Sequence, residues 1–160
     1  MELNLIKSNK KELSRTDLIE ELGKEMINNA DGETIIGDGK NLVNEGGGVI
    51  VTHEFTDGVY IRRMDLQKGS VVVSAVHKQK HVWFLMSGNV TVADKNGVQD
   101  YQAPCYTISQ PGTQRVINAN EDSIWINCHK NPTDTEDLDF LEKEMVAMSV
   151  KEYEQSIKNK

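Results

Sequence analysis

The chain is poor in the features that mark several protein classes. Only two cysteines, Cys105 and Cys128, occur in 160 residues, and they show none of the C-x-x-C spacing of zinc or redox sites, so a disulfide framework is excluded. They read as free thiols acting as small apolar side chains. Basic residues are the minority, 18 Lys+Arg against 25 Asp+Glu for a net charge of -7, and no basic stripe offsets that balance. A nucleic-acid partner is therefore not expected. No apolar run approaches the ~20 residues of a membrane span, and the opening MELNLIKSNKKELSR lacks the apolar core of an export signal. A soluble, cytoplasmic chain without a membrane partner is the expectation. Gly37-Asp38-Gly39-Lys40 misses the spacing of a phosphate loop and reads as a turn. Cys128 and His129 are neighbours on a predicted strand and face opposite ways, so they cannot act as nucleophile and base.

What is present suits one domain with terminal extensions. Residues 14–29, SRTDLIEELGKEMINN, start with a capping box from Ser14 to Asp17 and place Leu18, Ile19, Leu22 and Met26 at helical spacing. This helix falls in an N-terminal arm, residues 1–30. A connector, 31–57, rich in Gly, Asp and Asn, leads into the sheet region, with one short strand expected near Ile35. Short β-type runs follow in close succession: VIVTHEF, VYIRRMDL, SVVVSAVH, HVWFLMSG, NVTVAD, VQDYQA, YTISQ, RVINA and SIWINCH. Turn chemistry at Thr56-Asp57-Gly58, Lys95-Asn96-Gly97 and Gln110-Pro111-Gly112 separates them, as in an antiparallel sandwich or barrel spanning 58–131. Residues 132–160 form an acidic C-terminal helix whose Leu138, Leu141, Met145 and Met148 make one apolar face. That face docks on the barrel or on another subunit.

Two of the four histidines lie close together in VHKQKHVWFLMSGNVTV. Alternation puts His81, Trp83 and Leu85 on one face of a strand, and Val71, Val73, Ala75 and His77 on one face of the run before it. In isolation, HKQKH also reads as an exposed polar turn. Arg115 has a comparable plain reading as a surface strand residue paired with Glu121 or Asp122.

The run from Gly69 to Gly88 resembles the first motif of the cupin superfamily, G-x5-H-x-H-x3-E-x6-G. Ala75 stands at the first metal-ligating histidine, His77 keeps the second and His81 replaces the glutamate. PCYTISQPGTQRVINA is similar to the second motif, with Pro104 at its first glycine, Gly112 in place, Arg115 where the third histidine belongs and Ala119 at the asparagine. A looser similarity, in the APCYTISQPG segment followed by an arginine and a late acidic helix, is to small cupin proteins encoded by tailed bacteriophages. The resemblance implies an all-β fold: a cupin-type antiparallel β-barrel, or small jelly roll, with an N-terminal and a C-terminal helix. It also implies a degenerate metal site in a bacterial or phage-infected cell.

Catalytic metal sites need about three protein ligands. Only His77 and His81 remain at the family positions, as candidate metal ligands or catalytic bases. His53, Glu54, Cys105, Cys128 and His129 are candidates for a third ligand. In SIWINCH the inward set is either Ile124, Ile126 and Cys128 or Trp125, Asn127 and His129, and the second choice adds an imidazole. As written, two imidazoles and the Arg115 guanidinium favour an anion over a cation. The expectation is non-catalytic binding of a small anionic ligand or a protein partner, with His77, His81 and Arg115 at the charge and Trp83 and Tyr60 as apolar walls. The alternatives are a cupin isomerase, epimerase or metal-dependent oxygenase using His77 and His81, with a divalent metal as the alternative cofactor, and an assembly protein of a phage particle. A homodimer is expected.

Overall fold

The computed structural model describes residues 13–28 and 48–159. The strand expected near Ile35 and the turn at Gly37–Lys40 lie outside them. Helix α1, Arg15–Asn28, is followed by ten strands: β1 Val49–Thr56, β2 Val59–Leu66, β3 Val71–Val73, β4 Val76–His77, β5 His81–Ser87, β6 Asn89–Asp94, β7 Gly97–Gln102, β8 Cys105–Ser109, β9 Val116–Ala119 and β10 Ser123–Lys130. Helix α2, Leu138–Met145, strand β11, Val146–Ala147, and helix α3, Val150–Lys158, complete the chain. The strands make a five-stranded sheet in the order β1-β2-β10-β5-β8, a four-stranded sheet in the order β3-β9-β6-β7 and a two-stranded β11-β4 ribbon. All pairs are antiparallel. The architecture is the jelly roll expected from the sequence, with helices at both ends.

Local chemistry accounts for the boundaries. The Ser14 hydroxyl accepts from the Asp17 backbone N–H at 3.2 Å, and the Asp17 carboxylate accepts from the Ser14 N–H at 2.9 Å, so the capping box is formed. Gly88, between β5 and β6, has φ 83°, and an added Cβ would run into Ser123 and the Asp122 backbone. Only glycine fits that link, which lets β5 end in one sheet and β6 begin in the other.

The core lies between the sheets. Met64, Leu66, Trp83, Leu85, Val90, Val92, Ile117, Ala119 and Trp125 form one buried cluster. A second cluster, Tyr60, Leu141 and Met145, attaches α2 to the sheet.

Three boundaries differ from the sequence reading. The barrel begins before residue 58: VIVTHEF, read as a β run but grouped with the 31–57 connector, is β1, the edge strand of the larger sheet, paired with β2 from Val49↔Leu66 to Thr56↔Val59. SVVVSAVH is not one strand: β3 pairs with β9, whereas β4 pairs with β11. Alternation therefore does not run from Val71 to His77, because the chain changes sheet at Ser74-Ala75. The single C-terminal helix is also two. It breaks where Val146 adopts an extended conformation, φ -134° and ψ 160°, to pair with His77, and it restarts at the Ser149 N-cap. Val146 is β-branched and suited to that switch. Leu141 and Met145 are buried against the sheet, while Met148 is exposed.

Candidate metal centre

Three strands bring three imidazoles together. His81 opens β5 and His129 lies near the end of β10, the strand that pairs with β5 in the same sheet. His77 comes from β4, which is held on both sides: it pairs with Val146, its N–H donates to the Thr113 carbonyl at 3.0 Å, and its carbonyl accepts from the Gly112 N–H at 2.8 Å. Gly112 makes that approach with φ 77° in a turn that packs on Tyr153. The ring centroids are 4.2 Å apart for His77 and His81, 4.3 Å for His81 and His129 and 5.6 Å for His77 and His129.

All three histidines are buried, and one nitrogen from each lies within 4.8 Å of the others. His77 Nδ1 and His81 Nε2 are buried nitrogens with no hydrogen-bond partner at bonding geometry, and the Asn127 side chain is the polar group that acts on His81 from this side. On His81, the other nitrogen, Nδ1, lies 3.3 Å from the Gln79 carbonyl. A carbonyl only accepts, so Nδ1 carries the proton and Nε2 presents its lone pair to the cluster, the arrangement that orients a ligating imidazole. Desolvation moves the rings in the same sense. The His77 pKa falls well below its ordinary value through burial and then through His81, His129 and two nearby arginines. Burial lowers His81 to about 4 and His129 to about 3. Neutral imidazoles with free lone pairs fit a transition metal.

Two of the three rings, His77 and His129, line a cavity of about 740 Å³ that also presents Tyr60, Arg62, Arg115, Gln114, Trp125 and Asn127, and His81 lies against both of them. Tyr60, opposite His129 in the β2–β10 register, stacks on that ring at 5.9 Å, and its hydroxyl lies 2.7 Å from His53 Nδ1. Burial pushes the Tyr60 phenol up to about 12. Arg115 is buried and donates to Ser109 Oγ at 2.8 Å. Burial is also the main influence lowering both arginine pKa values, with Glu142 acting on Arg62 and Asp94 on Arg115 in the opposite direction.

Of the residues singled out in the sequence, His77, His81, Arg115 and Tyr60 are all buried at this end of the fold. The exposed-turn reading of HKQKH and the surface ion-pair reading of Arg115 are both replaced. Trp83 is a correction: it belongs to the core, stacked on Trp125 at 3.9 Å, and Trp125 forms the cavity wall in its stead. For β10 the inward set is Trp125, Asn127 and His129. The charge balance that favoured an anion over a metal counted two imidazoles, whereas the fold supplies a third outside the family motif. His53 is engaged with Tyr60, Glu54 is exposed, Cys105 packs against the core and Cys128 faces away from the cavity. Arg62 was missed, although strand alternation places it on the face of Tyr60 and Met64.

No family model matches the chain, and no curated protein matches it. Solved structures do resemble it. A conserved protein with a double-stranded β-helix domain from Klebsiella pneumoniae is 19% identical with a TM-score of 0.49, covering 63% of this chain and 92% of its own. An RmlC-like cupin from Shewanella frigidimarina is 16% identical with a TM-score of 0.48, covering 64% and 91%. KdgF from Halomonas is 14% identical with a TM-score of 0.47, covering 58% and 89%. These are likenesses of fold, and they assign neither ligand nor reaction to this chain.

Proposed function

We propose that His77, His81 and His129 hold one divalent transition-metal ion beside a cavity, lined by His77 and His129, that takes a small anionic ligand. The observation that carries this reading is the convergence of three buried imidazoles with two unpartnered nitrogens, His77 Nδ1 and His81 Nε2. Leaving such atoms bare is unfavourable unless something fills the site. Imidazole ligands suit Zn, Cu, Fe or Ni, and three protein ligands leave positions open for a ligand. When bound, such an ion supplies Lewis acidity towards the ligand's oxygen atoms. Arg115 supplies a fixed positive charge at the same wall, and the Tyr60 hydroxyl supplies a polar group beside His129. A histidine base in a metal-free isomerase or epimerase would use the same rings.

Metal content separates these readings. Full-length protein loaded with Zn, Fe, Mn or Ni and desalted is expected to retain about one ion per chain by mass spectrometry. The His77→Ala/His81→Ala double variant and His129→Ala are expected to retain none. A wild type that keeps no ion overturns the metal reading and leaves the anion-binding cavity.

The homodimer expected from the sequence has an observation of its own. The outer face of the larger sheet exposes Ile50, Met86, Tyr106 and Ile108, and on that face Arg63 and Asp65 neutralise each other at 2.7 Å. We propose a second copy as its occupant. Sedimentation showing a monomer at all concentrations, or a dimer indifferent to Tyr106→Asp/Ile108→Asp, argues against it.

A further inference from the structure

The cavity is far larger than an anion needs, and its chemistry changes from one end to the other. Near the triad it is polar and basic. Elsewhere the walls include Met26 and Ile27 of α1, Val71 of β3 and Met148 before α3, together with the charged Glu20, Lys24 and Lys151, while Leu138 and Met145 of α2 add apolar surface beside Tyr60. Ile27, Val71 and Met148 are 54%, 40% and 55% exposed, so large apolar groups meet water around the same cavity that buries Arg115 and half-buries Arg62. Methionine is unbranched and flexible, and a wall with several of them adapts to apolar ligands of different shape. A volume of about 740 Å³ is that of a pocket for a drug-sized molecule.

The charge at the polar end is also specific. Arg62 is only half-buried, and Tyr60 and then Glu142 act on it against the effect of burial. Arg115, only 5% exposed, has the neutral Ser109 hydroxyl as its side-chain partner and forms no ion pair among the described residues. Asp94 acts on it only as a neighbouring charge. One buried guanidinium without a salt bridge calls for one negative charge.

We propose that the ligand is a singly charged amphiphile, a carboxylate with an apolar tail, its head at Arg115 beside the triad and its tail running under α1 between β3 and α2. The placement of the head next to a metal rests on the metal-site reading; the tail does not. An apolar tail gains roughly 0.8 kcal/mol for each methylene it buries, and this cavity offers space for several.

Trp125 lines the cavity and stacks on Trp83, and these are the chain's two tryptophans, so intrinsic fluorescence reports occupancy. Full-length protein is titrated with butanoate, octanoate and dodecanoate below their micellar concentrations and with the matching alcohols. Metal content is measured on the same samples. Affinity is expected to rise about three- to four-fold per methylene and to favour each carboxylate over its alcohol about tenfold or more. Arg115→Gln should remove that preference and leave the alcohols unchanged. Ile27→Asp and Met148→Asp should weaken dodecanoate more than butanoate. A series flat in chain length, or carboxylates bound no better than alcohols, overturns the amphiphile. If Arg115→Gln does not fold, the carboxylate-to-alcohol ratio in the wild type decides alone. A rising series without retained metal removes the metal reading and keeps the amphiphile, whereas one ion per chain with a flat series does the reverse.

Discussion

The two ends of the jelly roll share the same strands and have opposite chemistry. Along the inner face, β2 runs from Leu66 and Met64 to Arg62 and Tyr60, β10 from Trp125 to Asn127 and His129, and β5 from Leu85 and Trp83 to His81. At one end these side chains form the closed apolar core. At the other they are imidazoles, guanidinium and phenol around a cavity. Among the described residues the dry end leaves no buried side-chain polar atom without a partner: the Trp125 indole N–H donates to Asn127 Oδ1 at 3.1 Å. The wet end leaves His77 Nδ1, His81 Nε2 and Gln114 Oε1 bare. Stability and binding are thus divided along single strands, and β10, which crosses from one regime to the other, is the strand on which to test the division.

The largest effect belongs to the dry end. Trp125→Ala removes a fully buried ring from the stack with Trp83. It should lower unfolding stability by about 3–5 kcal/mol, the usual range for emptying a packed aromatic site. Denaturant unfolding of the metal-free protein checks this. A loss of about 1 kcal/mol or less would mean that the dry end is already hydrated.

The two ends were not equally legible in the sequence. The strands, and with them the dry end, are read from alternation in HVWFLMS, and the hairpins that connect them from turn chemistry at Asp57-Gly58 and Asn96-Gly97, local signals that the structure bears out. The wet end depends on which strands lie side by side, and local signals do not carry that. His129 was one of five candidate third ligands, and only the register Asn127↔Trp83 brings it next to His81. The split of SVVVSAVH and the break at Val146 arise from one tertiary event, the pairing of β4 with β11, which overrides the helical spacing of Leu141, Met145 and Met148. Trp83 was placed on the pocket wall because it shares a face with His81. It lies one step nearer the core, where Trp125 stands between it and the cavity.

Acid should act next most strongly, and only through the wet end. In metal-free protein the His81 and His129 pKa values are lowered to about 4 and about 3, against ~6.5 in the unfolded chain. The folded state therefore binds fewer protons. The stability these rings allow is fully present above pH ~6.5 and declines as pH falls towards the folded values. Each ring contributes a slope of up to about 1.4 kcal/mol per pH unit, so about 2–4 kcal/mol should disappear between pH 7 and pH 5. Bound metal should flatten that profile, because it competes with protons for the same lone pairs. A metal-free profile already flat would show that the rings are hydrated.

At the border, Asn127→Ala strands the Trp125 N–H. It should lower stability by about 1–3 kcal/mol, with the core otherwise intact in near-ultraviolet circular dichroism. Asn127→Asp keeps an acceptor at the same position and should recover part of the loss, unless the added charge is excluded from so buried a place.

The smallest stability effect, and the sharpest contrast with Trp125, is expected at His129. Its ring is smaller than the Trp125 indole and lies between His81 and Tyr60, outside the apolar core cluster that includes Trp125, so truncation removes less apolar packing. It also removes a buried imidazole whose neutrality makes the fold acid-sensitive. Metal-free His129→Ala should therefore lie within about 1 kcal/mol of wild type at pH 7 and show a shallower loss of stability on acidification, while its retained metal falls from about one ion per chain to none. Trp125→Ala carries the opposite signature, a large loss of stability with the three histidines untouched. If His129→Ala proves as destabilising as Trp125→Ala, the wet end is part of the structural core, and the bare nitrogens of His77 and His81 are a packing compromise rather than a vacant ligand set.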